Sequence, residues 1–275
     1  MKEKSIYVFD AKKATDGCIQ WIKEWFEKNC PDHKAILGLS GGKDSTIVAA
    51  LLARAIGAEN VIGVAMPTHG QGDNEAKEIA EYLGINYMYV PIGHCLDVFE
   101  SMEVDIVENT VGVDVDNDFE WSERSMQNIP PRIRMTLLYA ISQSFNGVPI
   151  CTCNLSENFI GYCTIFGDDC GAIAPLANFT VAEVLQIGDE LGLPHDWVYK
   201  TPDDGLPFSS PDEVKFGFTY HELDEYLRGN EIPSDEVLEK INKMHNSSMF
   251  KRDLLNIPSY KDYTYFSRKV IKVED

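Results

Sequence analysis

The feature that most constrains this chain is a short apolar run that ends in glycines and opens a helix. Ala35-Ile36-Leu37-Gly38-Leu39 has the continuity of a strand buried on both faces. Ser40-Gly41-Gly42-Lys43-Asp44-Ser45 follows, and the pattern from Asp44 to Ile56 predicts a helix closed by Gly57. The alternation then repeats. Val61 to Met66 predicts a second buried strand broken by Pro67, Asn74 to Leu83 a helix stopped by Gly84, and Ile85 to Ile92 a third strand. Strands alternating with helices of this length imply right-handed βαβ units. The expected fold is α/β, an open, doubly wound parallel sheet with helices on both faces.

The rest of the chain extends that plan. Ile19, Ile22, Trp25 and Phe26 recur at helical spacing within residues 17–28. Pro131 to Phe145 predicts a helix with proline at its start, and Val148 to Cys153 a fourth strand. Val181 to Leu191 predicts a helix with Thr180 as N-cap. His221 to Leu227 and Ser234 to His245 make a C-terminal helical segment. Val104 to Ser125 is acidic and weakly patterned, a long connection or a loosely packed helix. Thr201 to Pro211, rich in Pro, Gly, Asp and Ser, predicts a mobile loop. No linker divides the chain, so residues 1–275 are expected to form a single domain.

Composition excludes several functions. With 24 basic and 44 acidic residues the net charge is −20, which repels nucleic acid. No apolar run approaches the ~20 residues of a membrane helix, and Met1-Lys2-Glu3-Lys4 opens no secretory signal. Seven cysteines, an odd number, fit a reducing cytoplasm better than a disulfide framework. Cys151, Cys153, Cys163 and Cys170 crowd one region, but their spacing is no familiar zinc pattern, and they read as small buried thiols.

The glycine loop carries the chemistry. Residues without Cβ let backbone N–H groups approach an anion closely, and the following helix N-terminus adds about half a positive charge. A Walker loop is excluded because Leu37 stands five before Gly42 and Asp44 follows Lys43. The dinucleotide fingerprint is absent. Asp44 would cap a helix in any fold; it would equally serve Mg2+, which prefers hard oxygen donors beside phosphate.

Ser-Gly-Gly-x-Asp-Ser resembles the pyrophosphate loop of the adenine-nucleotide alpha-hydrolase superfamily, whose members split ATP into AMP and pyrophosphate. The acidity disfavours its tRNA-modifying branch. A second block narrows the resemblance: Pro131-Arg132-Ile133-Arg134-Met135, Cys151-Thr152-Cys153-Asn154-Leu155-Ser156-Glu157, and Gly161-Tyr162-Cys163-Thr164-Ile165-Phe166-Gly167-Asp168. Pro175-Leu176, Lys200-Thr201-Pro202 and Lys251-Arg252 follow in order. This string is similar to ammonia-dependent NAD synthetases from about residue 17 to about residue 260.

The resemblance implies roles. Gly38, Leu39, Ser40, Gly41, Gly42, Lys43, Asp44 and Ser45 would bind ATP, with Gln71 and Thr152 also touching it. Asp44 and Glu157 would hold Mg2+ and so be the catalytic pair. Arg132 and Lys251 would contact deamido-NAD. Without the resemblance, Glu157 reads as a solvated helix-start carboxylate and Lys251 as a surface lysine. The implied reaction is adenylation of deamido-NAD and its amidation by ammonia, with no covalent enzyme nucleophile. A homodimer is implied, and no glutaminase domain fits beside such a core. A related amide ligase acting on another carboxylate, or a catalytically reduced nucleotide-binding homologue, are the alternatives. The chain departs from the family's pattern at Ile165, Ala172, Val181 and Phe250, each replacing an expected polar contact.

Overall fold

A computed structural model describes residues 2–70, 72, 74–112, 119–200, 212–254 and 266–273. In chain order its first half holds β1 (Lys2–Phe9), α1 (Ala11–Asn29), β2 (Lys34–Gly38), α2 (Lys43–Ile56), β3 (Val61–Ala65), α3 (Asn74–Leu83), β4 (Asn86–Tyr89) and α4 (Gly93–Asn109). There follow α5 (Glu123–Ser144), β5 (Gly147–Pro149), α6 (Leu155–Ile160), α7 (Val181–Glu190) and α8 (His195–Val198). The last elements are α9 (Asp212–Phe216), α10 (Tyr220–Arg228), α11 (Asp235–Ser247), α12 (Met249–Leu254) and β6 (Phe266–Val273).

Four strands make the expected parallel sheet, in the order β4-β3-β2-β5. Its burial follows the period-2 alternation of strand side chains. Ala35, Leu37 and Leu39 pack on one face with residues of α1, α2 and α7, while Ile36 joins Ile62, Val64, Met66 and Ile133 on the other, beneath α4 and α5. Covering helices on both faces explain why these strands read as unbroken apolar runs. Leu51, in the middle of α2, has no exposed surface, and truncating it to alanine would cost about 2–5 kcal/mol.

The winding positions the site. The chain runs from β2 outward through β3 and β4, then returns through α5 to place β5 on the other side of β2. The crevice beyond the carboxyl ends of β2 and β5 is therefore the topological switch point, where open α/β sheets bind ligands.

Several boundaries shift. α5 begins at Glu123 rather than at Pro131, because the Ser122 hydroxyl accepts from Ser125 N and starts the helix earlier; Pro130 and Pro131 lie inside it. Of the weakly patterned stretch, residues 104–109 end α4 and residues 123–125 open α5, while residues 113–118 lie outside the described residues. β5 pairs with β2 only as far as Pro149, after which Ile150 makes a single bridge to Ile173. The C-terminal segment also returns a strand: β6 pairs antiparallel with β1, from Phe9↔Phe266 to Lys2↔Val273. Residues 201–211, expected as a mobile loop, lie outside the described residues.

Helices α6, α9, α10 and α11 gather around a second core of Ile160, Val181, Phe216, Tyr220, Leu223 and Ile241. Polar contacts lock it to the sheet layer. Asp224 accepts from Ser156 Oγ at 2.5 Å and from Ala182 N at 2.8 Å. Buried Glu183 accepts from the Arg228 guanidinium at 2.5 and 2.6 Å and from Tyr7 Oη at 2.7 Å.

Candidate active site

Gly42 is the N-cap of α2 and offers no capping side chain. The helix's first N–H groups are thus left without a side-chain acceptor at its positive end. The loop ahead of them is fixed by hydroxyls. Ser45 and Thr46 both donate to Gly42 O, at 3.0 and 2.8 Å. Ser45 Oγ lies 3.2 Å from Ser40 Oγ, which accepts from Gly42 N at 3.2 Å. Gly41 has φ +82°, and a Cβ there would lie 2.9 Å from Glu75 Oε2. The left-handed φ favours glycine. The product is a small curl of backbone opening onto a helix N-terminus, the geometry that receives phosphate.

The facing loop, residues 150–157, leaves β5 and enters α6. Half-buried Thr152 lies on it, and Asn154 is fully buried at its end. Asn154 Nδ2 donates to Asp44 Oδ1 at 3.1 Å. Its Oδ1 accepts from Glu157 N at 3.0 Å, and its backbone N donates to Glu157 Oε2 at 3.4 Å. One side chain therefore completes a capping box on α6 and ties Glu157 to Asp44. Asp44 is the second residue of α2, so it stands on a helix rather than on a free loop.

The electrostatics follow from this crowding. Burial, then the nearby Asp44 carboxylate, push the Glu157 carboxyl up to about 8, against the opposing pull of Lys43 and of the Asn154 N–H. Lys43 Nζ lies 2.7 Å from Asp44 Oδ2 with 7% of its side chain exposed. Burial pulls the Lys43 ammonium down, but the carboxylates of Asp44, Glu157 and Asp212 win and hold it at about 12. A raised carboxyl beside a second carboxylate marks a place where added positive charge is favourable. Oxygen donors on both residues suit a hard cation such as Mg2+.

Other expected residues stand nearby in different states. Exposed Arg132 donates from Nε to Ile165 O at 3.3 Å, whereas Arg134 turns inward and donates to Met66 O at 3.0 Å, past the end of β3. Burial lowers the Arg134 pKa, with Asp168 opposing. Lys251 Nζ donates to Gly161 O and Cys163 O, at 2.8 and 2.6 Å, clamping the end of α6. Lys200 pairs with Glu75, whose carboxylate borders Gly41. Gln71 lies outside the described residues.

Sequence reasoning missed Asn154, Asp212 and Tyr220. Tyr162 Oη donates to Asp212 Oδ1 at 2.8 Å, and the Tyr220 phenol is driven far up by burial and by Glu157, Asp212 and Asp44. Asn154 did leave a signal. Asn-x-x-Glu ahead of an apolar pair is a capping-box pattern. Asp212 and Tyr220 left none, since only the packing of α9 and α10 brings them here.

A family model described as NAD synthase matches residues 15–255. The NH(3)-dependent NAD(+) synthetase of Thermococcus sibiricus is 42% identical over 219 residues, which cover 79% of this chain and 80% of that protein. That of Pyrococcus furiosus is 32% identical over 265 residues, covering 91% of this chain and 96% of its own. Among solved structures, an NMN synthetase from Francisella tularensis superposes with a TM-score of 0.77 at 29% identity, over 91% of this chain and 99% of that one. An NH3-dependent NAD synthetase from Campylobacter jejuni superposes with a TM-score of 0.67 at 28% identity, over 91% of this chain and 99% of that one.

Proposed function

The chain belongs to the NAD synthase family, and from that premise we propose that the crevice between β2 and β5 amidates deamido-NAD with ammonia at the expense of ATP. The chain is then a ligase of carbon–nitrogen bond formation, as its relatives are named. The observation that carries this reading is the uncapped α2 N-terminus joined, through its own Asp44, to Asn154 and Glu157 on the facing loop.

The chemistry needs little from the protein beyond charge and position. The nicotinate carboxylate attacks the α-phosphorus of ATP, and pyrophosphate leaves. Ammonia then attacks the acyl-adenylate carbonyl, and AMP leaves. Residues 38–45 would hold the β- and γ-phosphates and then the departing pyrophosphate on the backbone donors of the loop. Thr152 and Gln71 would touch the rest of ATP. Asp44 and Glu157 would hold Mg2+, which when bound supplies the positive charge that offsets the phosphates. Arg132 and Lys251 would contact deamido-NAD, Arg132 from its exposed place on α5 and Lys251 by exchanging its present carbonyl partners. The reading treats residues 1–275 as a single synthetase unit, cytoplasmic and working as a homodimer, which mass in solution would check. Among the described residues no helix is long and apolar enough to cross a membrane.

The test is pyrophosphate release from ATP with Mg2+ and ammonia, with deamido-NAD added or omitted. Turnover is expected only with the acid present, and glutamine should not replace ammonia. ATP binding without turnover on any acid would overturn the assignment in favour of a nucleotide-binding homologue.

A second reading concerns the acid. The structure with a TM-score of 0.77 is an NMN synthetase. Ile165, Ala172 and the 55% exposed Phe250 stand where polar contacts were expected. Both observations favour a smaller acid, nicotinate mononucleotide. The ratio of kcat/KM for the two acids separates the readings.

A further inference from the structure

We infer that Cys151, Cys153 and Asp169 form a second, separate binding site, for a thiophilic divalent cation of the Zn2+ class. One donor atom from each of the three lies within 4.8 Å of the other two. The spacing of the cysteines in the sequence hid this, because the third donor is a carboxylate brought in by the fold.

The site is built rather than accidental. Cys151 and Cys153 follow β5 and are both buried. Asp169 arrives on a turn lashed to that strand. Ala172 N donates to Pro149 O at 2.7 Å and Cys151 N to Ile173 O at 2.9 Å. The turn closes on itself through Gly167 N to Thr164 O at 2.8 Å and Thr164 N to Asp168 Oδ1 at 2.8 Å. A fourth soft donor stands at the rim, where Cys163 Sγ contacts Asp169 Oδ2 at 3.6 Å. Lys251 fixes that residue by taking Cys163 O at 2.6 Å.

Donor chemistry selects the ion. Two sulfurs and one carboxylate oxygen match the mixed sulfur and oxygen ligation that Zn2+ accepts and Mg2+ does not. Asp44 and Glu157, offering oxygen alone, match the opposite preference. The Cys153 thiol is pushed well up by its hydrogen bond with Cys151, by burial and by nearby carboxylates. A bound dication reverses that balance. Two thiol protons leave to solvent, and two thiolates with one carboxylate ligate the metal. Cys163 or a water completes four-coordination. Cys153 immediately precedes Asn154, so occupancy would stiffen the loop that joins Glu157 to Asp44. The inference does not depend on the amidation chemistry.

The test uses reduced, chelator-stripped full-length protein without ATP, titrated with Co2+. One equivalent is expected to bind, with a thiolate charge-transfer band, tetrahedral visible bands, and about two protons released per metal at neutral pH. Zn2+ should abolish the bands, and a large excess of Mg2+ should leave them. Cys151→Ser/Cys153→Ser should lose them, while Cys18→Ser/Cys95→Ser keeps them. Asp169→Asn, which spares both thiols, should weaken binding about tenfold or more and serves if the double variant does not fold. Three results would each overturn the site: no charge-transfer band at stoichiometric Co2+, a band that survives in folded Cys151→Ser/Cys153→Ser, or displacement by Mg2+.

Discussion

The two loops that meet at the switch point are built on one plan and finished in opposite ways. Each leaves a parallel strand, β2 or β5, and enters a helix whose N-terminus faces the same crevice. At α2 the cap is Gly42, with no side chain, and the helix's donors stay available. At α6 the cap is Asn154, whose side chain accepts from Glu157 N and donates to Asp44, while its backbone N–H holds the Glu157 carboxylate. A helix N-terminus is therefore an anion site only when its cap is left off. A self-capped one presents its acidic residue instead, and suits a cation.

That contrast can be broken most severely at the point where the loops touch. Asp44→Asn removes charge from the bridge while preserving its shape. It should lower kcat/KM by about 10²–10³-fold in pyrophosphate-release assays. Unchanged turnover would remove Asp44 from the metal site. Gly42→Asn converts the first loop into a copy of the second. Its Cβ would sit 3.2 Å from Ser40 Oγ, and its amide would occupy the donors meant for phosphate. The KM for ATP should rise about 10- to 100-fold, while the helix itself is no less stable. Equal KM values would show that the phosphates bind elsewhere.

Asn154→Ala makes the converse change. Losing the cap costs about 1–2 kcal/mol, or roughly 2–8 °C in Tm. The Mg2+ concentration needed for half-maximal rate should rise in parallel, because nothing then ties Glu157 to Asp44. A fall in Tm alone would reduce Asn154 to a structural cap.

The mildest test concerns what holds the second loop in place. Burial raises the Asp224 carboxyl to about 6, against the pull of its bonds from Ser156 and Ala182. Its ordinary value is near 3.8. Between those values the folded chain keeps a proton that the unfolded chain has lost. The contribution of Asp224 to stability is therefore greatest below about pH 4, declines as pH rises through about 6, and is flat above. The swing is on the order of 3 kcal/mol at most. Asp224→Asn should flatten that part of the Tm-against-pH curve, and an identical curve would refute the linkage.

Much of this architecture was legible because it is local. The apolar runs of β2 and β3 and the Asn74–Leu83 helix follow from periodicity and glycine stops, and residues 38–45 announce an anion loop by composition alone. The losses have particular causes. β1 begins with charged residues, and its partner is β6, far along the chain, so no window of sequence contains the pair. Pro131 hid the first turns of α5 because proline usually opens a helix, whereas Ser122 opens this one. Glu157 could be found only by resemblance, since an isolated carboxylate at a helix start says nothing of Asp44. The cysteines read as buried thiols, which holds for Cys151 and Cys153, but Cys163 and Cys170 are only half-buried and Asp169 completes a group that no spacing rule describes.

The pairing of β1 with β6 sets an order on the molecule's making. During synthesis Phe9 leaves the ribosome early and Phe266 late, with every residue of the crevice between them. At ~5–20 residues per second the first strand waits on the order of 10–50 s for its partner. The sheet, the phosphate loop and the Asn154 bridge can all form in that interval, so the pairing of the two strands is the last seam to close.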